Sequence, residues 1–162
     1  IMASLLKVDG IQTVAGKPIV NATGSVLQVV TSTTSTEVTN NTTSEVATGL
    51  SASITPSSSS NKVFALVTLP IQWGSNSGNI TQDYNLKRGS ALIGKSDSMI
   101  NVNAIVQLQG EVSISVLDSP STTSATTYSV TFQETTQTNR YGNSMVCAGN
   151  ATATLTLMEI SA

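Results

Sequence analysis

The residues that could carry chemistry in this chain are few, and their types exclude several mechanisms. No histidine occurs in the 162 residues, so neither a Ser-His-Asp triad nor a histidine-ligated zinc site can be built. The single cysteine, Cys147, cannot form an intrachain disulfide. Because it lies between Val146 and Ala148 without a basic neighbour, we expect a buried thiol rather than an activated nucleophile. The sequence predicts no metal site and no cofactor.

Carboxylates are the next candidates, because glycoside hydrolysis needs two of them at a set separation. The carboxylates that could in principle pair for this reaction are Asp83, Asp97, Glu111, Asp118 and Glu134. Their spacing does not indicate that any two converge, and Asp118 is better explained as a turn residue, since Ser119-Pro120 follows it. We therefore predict no catalytic residue and no enzymatic activity.

Aromatic and amide side chains offer another kind of chemistry, which is contact with a sugar. Trp73 precedes a loop of small residues that contains Asn76 and Asn79, and Tyr141 lies in a second polar loop. A ring beside amide groups can stack on a sugar face and bond its edges, so these four residues are the candidate glycan or receptor contacts. Each of the two aromatic residues also has a purely structural explanation. Trp73 would be a core residue that ends a buried strand, which is the explanation we favour, and Tyr141 would be an ordinary loop tyrosine.

Composition and charge narrow the function classes further. Only 10% of the residues are charged, and seven basic against nine acidic residues give a net charge of -2, so the sequence offers no basic patch for nucleic acid. The longest apolar runs are too short to span a bilayer, so no membrane insertion is predicted. The apolar residues are interleaved with threonine and serine, and β-branched residues suit a pleated surface. The chain is therefore expected to be rich in β-strands.

Alternation of apolar and polar residues supplies the strand assignments. It is clearest at 50–54, 111–117 and 151–160, and the most apolar stretch is 62–73, which contains Pro70. A proline inside a strand indicates an edge position or a bulge. About eight strands separated by turn signals predict an all-β fold, an antiparallel β-sandwich of the jelly-roll type.

The first 23 residues differ from the rest, so we divide the chain into an attachment arm at 1–23 and a β-sandwich domain at 24–162. The arm is apolar but too short to bury its own side chains, and Gly10, Gly16 and Pro18 break any long helix. We expect it to pack on a partner protein or on sister chains rather than along its own domain. Its candidate docking or oligomer contacts are Leu5, Leu6, Val8, Ile11, Val14 and Ile19.

A series of short segments, taken in order, resembles the fibre proteins of tailed phages, especially those of marine and cyanobacterial phages. The segments are LKVDGIQ at 6–12, GKPIVN at 16–21, GSVLQVV at 24–30, GLSASITP at 49–56, LKRGS at 86–90, LDSP at 117–120 and ATLTLMEI at 153–160. Together they span nearly the whole chain.

The resemblance implies a virion appendage, a homotrimeric tail fibre or knob. In that case the arm binds other virion proteins, and the β-domain faces outward, where it would contact host surface polysaccharide. Alternatives are a fibre that decorates the head or capsid, and a polysaccharide-depolymerising enzyme on the same scaffold. A third alternative is a bacterial surface adhesin or pilin-like subunit. That alternative would need an export signal upstream of Ile1, the residue that precedes Met2.

Overall fold

A computed structural model describes residues 22–40, 42–75, 78–102, 106–137 and 144–162 of the chain. Strands dominate these residues, and the helical content is a single 3-10 turn, Ala148–Asn150. None of the helical structure in these ranges is long and apolar enough to cross a membrane. The strands are β1 (Val26–Thr34), β2 (Val38–Asn40), β3 (Val46–Ile54), β4 (Lys62–Ser75), β5 (Gly78–Arg88), β6 (Ala91–Val102), β7 (Val106–Asp118), β8 (Thr126–Gln137), β9 (Ser144–Val146) and β10 (Ala153–Ile160).

The strands form two antiparallel sheets that pack face to face. One sheet has the order β1-β10-β4-β7, and the short strands β2 and β9 continue β1 and β10 along the same edge of β4. The other sheet has the order β3-β8-β5-β6. The chain passes back and forth between the sheets, and this strand order is that of an eight-stranded jelly roll. The predicted all-β sandwich of jelly-roll type is confirmed.

Strict alternation along β4 builds the centre of the core. Val63, Ala65, Val67, Leu69 and Ile71 all point between the sheets and are buried. Full burial of each larger side chain contributes about 1.5–3 kcal/mol. The facing sheet adds inward residues in the same period, which are Leu50, Ala52, Ile54, Tyr84, Leu86, Tyr128, Val130 and Phe132.

The sequence predicted that Pro70 lies on an edge strand or at a bulge of its own strand, and this prediction is wrong. β4 is paired along both sides, but Pro70 falls where the neighbouring strand is interrupted, between the segments that pair with β10 and with β9. The carbonyl oxygen of Pro70 accepts from the backbone N–H of Cys147 at 2.9 Å, at a point where Cys147 turns with φ 54°. The missing N–H of Pro70 therefore faces a gap in the ladder and removes no strand–strand bond.

The two ends of the sandwich carry different parts of the chain. We call one the terminal end, because both chain ends of the domain lie there: the N–H of Gly24 donates to the carbonyl of Ser161 at 2.8 Å. The connections 55–61, 89–90 and 119–125 lie at the same end. We call the other the loop end. The described residues that flank 76–77, 103–105 and 138–143 meet there, together with the connection from β2 to β3.

Two glycines inside strands differ in how closely neighbouring side chains approach them. A Cβ atom on Gly94 of β6 would lie 2.6 Å from Cγ2 of Val116 and 3.1 Å from Cγ2 of Ile114. A Cβ atom on Gly110 of β7 would lie 3.7 Å from Cη2 of Trp73, which is ordinary van der Waals contact. The sheets therefore need a glycine at 94, whereas position 110 has room for a methyl group.

The matched substitutions Gly94→Ala and Gly110→Ala test this packing. We expect Gly94→Ala to lower the free energy of unfolding by about 1–3 kcal/mol, because the added methyl group overpacks the space between the sheets. Gly110→Ala is expected to leave stability unchanged or to raise it by less than about 1 kcal/mol. Urea denaturation of both variants gives the comparison, and equal stabilities would contradict the packing described.

Candidate functional site

The loop end gathers the segments in which the candidate sugar contacts lie. Trp73 is near the end of β4, and Asn79 is in β5, where it pairs with Asn101 of β6. Asn76 and Tyr141 lie outside the described residues, but the strand ends that flank their segments belong to this end. The strand order thus brings to one end of the domain the described strand ends that contain or flank the four candidates, which are up to 68 positions apart in the sequence.

Trp73 is partly buried and packs against the edge of the core. Its indole ring lies beside Gly110, at van der Waals distance from where a Cβ atom of that residue would stand. The indole Nε1 is buried and has no hydrogen-bond partner among the described residues. Trp73 is thus a half-buried side chain that packs against the core near the loop end. This agrees with its explanation as a core residue, which the sequence analysis favoured.

A polar layer lies between the sheets at the loop end. Gln82 and Glu134 are cross-strand neighbours on β5 and β8, and both are buried in positions that continue the inward phase of the core. The hydroxyl of Tyr84 donates to Oε1 of Gln82, and the Tyr84 ring stacks on Phe132 with centroids 6.3 Å apart. Burial, and then the charge of Glu134, raise the pKa of Tyr84, which keeps the phenol protonated.

Asn40 organises the chain where it passes from one sheet to the other at this end. Its Nδ2 donates to the carbonyl oxygens of Ser44 at 2.8 Å and Phe132 at 3.3 Å. Its Oδ1 accepts from the N–H of Thr42 at 2.9 Å. This side chain therefore ties the connection between β2 and β3 to strand β8. The sequence analysis did not single out Asn40 or Gln82, although Gln82 lies in phase with the apolar residues Tyr84 and Leu86.

The outer face of the β3-β8-β5-β6 sheet carries a connected set of charged and amide side chains. Glu45, just before β3, accepts from Thr131 at 2.5 Å and Asn85 at 2.9 Å and also pairs with Lys87. The hydrogen bond from Lys87 is the largest of the effects that together lower the pKa of Glu45 to about 2. The Oδ1 atom of Asn85 is buried without a partner in the described part of the chain.

Asp83 and Asp97 are the two carboxylates among the sequence candidates that the fold brings side by side. They are cross-strand neighbours on β5 and β6, and Nζ of Lys95 binds Asp83 at 2.9 Å and Asp97 at 2.8 Å. The hydrogen bond from Lys95 lowers the pKa of Asp97. Asp97 is therefore held in its charged form, whereas a general acid for glycoside hydrolysis needs a raised pKa.

Asp118 joins the two sheets at the terminal end, so its prediction as a self-capping turn residue is wrong. As the last residue of β7 it accepts from Nη1 of Arg88 at 2.7 Å and from the hydroxyl of Tyr128 at 2.7 Å. Arg88 and Tyr128 belong to the opposite sheet. The inward phase of β7 turns the carboxylate between the sheets rather than toward its own turn.

Glu159 is a second buried carboxylate at the terminal end, and it fixes the loop that precedes β4. Its Oε1 accepts from the N–H and the hydroxyl of Ser57 and from Nδ2 of Asn61, each at 2.7 Å. Burial alone would raise the pKa of Glu159, but these hydrogen bonds outweigh that effect and lower it. Glu159 thus holds a structural position, distant from the loop end.

Comparison with known proteins leaves the chain without a family assignment: no protein-family model matches it, and no curated protein is significantly similar to it. Within the described ranges, no three acidic or cysteine side chains come together in a way that could hold a metal ion. The fold alone is compatible with many functions, so the function has to be inferred from how charged, polar and apolar side chains are distributed over the surface.

The lowered pKa of Glu45 makes a prediction for acid stability. A carboxylate whose pKa is about 2 in the folded protein and about 4.5 unfolded stabilises the fold above pH 4.5, and this contribution disappears as the pH falls to about 2. Glu45→Gln should therefore flatten the decline of unfolding free energy between these values. Chemical denaturation as a function of pH measures the slope. Glu111→Gln, on the exposed face of β7, is the control, and an identical slope change in both variants would contradict the role of Glu45.

Proposed function

We propose that this protein is a structural component of a phage particle, a tail fibre or knob that docks through its N-terminal arm and presents the β-domain outward. The observation that carries this proposal is that the N-terminal entry of the chain and the connections with the candidate contacts lie at opposite ends of the domain. The chain enters the domain at the terminal end, beside its own C-terminal residues, and the connections with the candidate contacts belong to the opposite end. An arm at 1–23 therefore starts from the face that is farthest from those loops.

The resemblance of the ordered segments to tailed-phage fibre proteins supports the same function. The jelly roll is also a fold that viral capsid and lectin domains use, which is compatible with a particle protein that contacts carbohydrate. Because one fold serves many functions, the proposal depends on the order of the segments and on the placement of the arm and the candidate contacts at opposite ends of the domain.

Binding, rather than cleavage, is the activity proposed for the loop end. The candidate contacts there are one aromatic ring, two amides and a tyrosine, which suit stacking on a sugar and hydrogen bonds to its hydroxyls. The paired carboxylates Asp83 and Asp97 lie on the outer sheet face and share Lys95, an arrangement that favours charged side chains over an acid catalyst. Weak contacts of this kind gain strength when several copies present them together.

Native mass tests the multimeric part of the proposal. We expect the purified full chain to have a mass of about three chains, because three copies present identical loops and share the apolar arm. Sedimentation equilibrium or light scattering measures it. A single-chain mass at all concentrations up to about 100 μM would contradict a homotrimeric appendage.

Substitutions at the two ends of the domain test the binding part. Tyr141→Ala and Asn79→Ala, in the segments of the loop end, are each expected to weaken retention on host cells or purified surface polysaccharide about tenfold, the loss of roughly 1.4 kcal/mol per contact. The matched control is Thr123→Ala in the exposed connection 119–125 at the terminal end, which should bind as the parent does.

Two results would contradict the binding proposal. Equal retention of all three variants would show that the loop end makes no contact, and release of oligosaccharides from the polysaccharide would indicate a depolymerising enzyme instead. Electron microscopy of particles labelled with an antibody to the domain tests the virion location separately, and unlabelled particles would contradict it.

A further inference from the structure

The outer face of the β3-β8-β5-β6 sheet holds two carboxylates around one ammonium group. Asp83 and Asp97 are cross-strand neighbours on β5 and β6, and Nζ of Lys95 lies 2.9 Å from Oδ2 of Asp83 and 2.8 Å from Oδ1 of Asp97. Like charges directly opposite each other on a sheet are destabilising, so this pair needs a cation between them. The two carboxylates therefore define a cation position, which the ammonium of Lys95 fills.

Asp83 is unusually buried for a carboxylate on the outer face of a sheet. The residue is 5% exposed, and its Oδ2 accepts from Nε2 of Gln133 at 3.2 Å as well as from Lys95. A buried carboxylate needs hydrogen-bond donors or a counter-ion that offset its lost hydration. A divalent cation interacts with this charge more strongly than a single ammonium does.

A third oxygen beside these carboxylates is buried without a hydrogen bond. Asn85 is 6% exposed, and it follows Asp83 by two residues on the same face of β5. Its Oδ1 has no partner among the described residues, whereas its Nδ2 donates to Oε1 of Glu45 at 2.9 Å. A buried amide oxygen without a donor is costly, so this atom indicates a missing ligand.

The orientation of the Asn85 amide places this oxygen on the side of the carboxylates. Glu45 also accepts from Thr131, the neighbour of Asn85 on β8, so the amide nitrogen is directed toward β8. The oxygen branches from the same planar group in the other direction. On that side of β5, the neighbour of Asn85 is Lys95 of β6, whose ammonium lies between Asp83 and Asp97.

Two carboxylates and an amide oxygen are ligands that suit Ca²⁺. This ion binds oxygen at about 2.3–2.6 Å, so shifts of a few tenths of an ångström would bring both carboxylates into contact with an ion at the position of the Lys95 nitrogen. The acidic side chains are two rather than three, and the amide supplies the third protein ligand. The side chain of Asp97 is 61% exposed, which lets water complete the coordination. Mg²⁺ is smaller and demands near-ideal octahedral geometry, which fits this set less well.

We propose that Asp83, Asp97 and Asn85 form a Ca²⁺ site in which the ion replaces the ammonium of Lys95. The Lys95 side chain is 39% exposed, so its ammonium can move into solvent when the ion binds. The ion then links β6, at the edge of its sheet, to β5 through their side chains. This proposal goes beyond the proposed function and does not depend on it.

Calorimetric titration of the full chain with CaCl₂ tests the site. We expect a dissociation constant of about 10⁻⁴–10⁻³ M, the range of weak extracellular Ca²⁺ sites. Asp97→Asn should weaken binding about tenfold or more, because it removes one charged ligand, and Lys95→Gln should strengthen it about tenfold, because the competing ammonium is gone. The control is Glu111→Gln, which removes an exposed carboxylate from the other sheet and should bind as the parent does.

Thermal unfolding provides a second measurement, with KCl at the same ionic strength as the comparison, because salt alone screens the carboxylates. Ca²⁺ should raise the melting temperature of the parent and raise that of Lys95→Gln more. Circular dichroism checks the folding of each variant, which is expected because the substituted side chains are exposed. Absence of binding in both the parent and Lys95→Gln overturns the proposal, and so does Asp97→Asn that binds Ca²⁺ as tightly as the parent. Neither result bears on the phage-particle function, which native mass and particle labelling test.

Discussion

The buried face of strand β4 is the constraint on which the rest of the structure depends. Its alternate residues from Val63 to Ile71 lie between the sheets, and the strand is paired on both sides along most of its length. A slip of one residue would turn Phe64 and Leu66 inward and expose Val67 and Leu69, at a cost that no other strand could offset. The phase of β4 therefore decides both what fills the core and which apolar side chains, Phe64 and Leu66, lie on the outer face of the sheet.

Polar residues that keep the inward phase close the sandwich at both ends. At the terminal end, Glu159 and Asp118 are bonded to groups on neighbouring loops and on the opposite sheet, so each buried charge has compensating donors. At the loop end, Gln82 and Glu134 take the same inward positions. Carboxylates and amides thus mark where the apolar layer stops. The terminal end is therefore held by hydrogen bonds between these carboxylates and their neighbours.

The fold class was predictable because alternation is a local signal, whereas strand partners were not. The strands around 50–54, 62–73, 111–117 and 151–160 were recognised, and the threonine-rich content correctly indicated sheets. The strand predicted at 111–117 begins earlier, at Val106, and runs through Gly110, beside which the ring of Trp73 lies. Pro70 was misplaced for the same reason: only the neighbouring strand, about 80 residues away in sequence, provides the gap that accommodates it.

Of the candidate site, the residue types could be chosen from sequence, but their grouping at one end follows from the order of strands. The six candidate docking residues of the arm stay a prediction, since they lie outside the described residues.

The contrast between the two outer faces limits how copies of this protein can pack. Burial of the face that carries Glu45, Lys87, Asp83 and Lys95 would remove ion pairs from water, and desolvation of paired charges costs about as much as the pairs contribute, or more. Burial of exposed apolar residues on the outer face of the other sheet, Val29 and Leu117 among them, removes hydrophobic surface from water. The free-energy difference therefore favours contacts through the outer face of the β1-β10-β4-β7 sheet over contacts through the charged face.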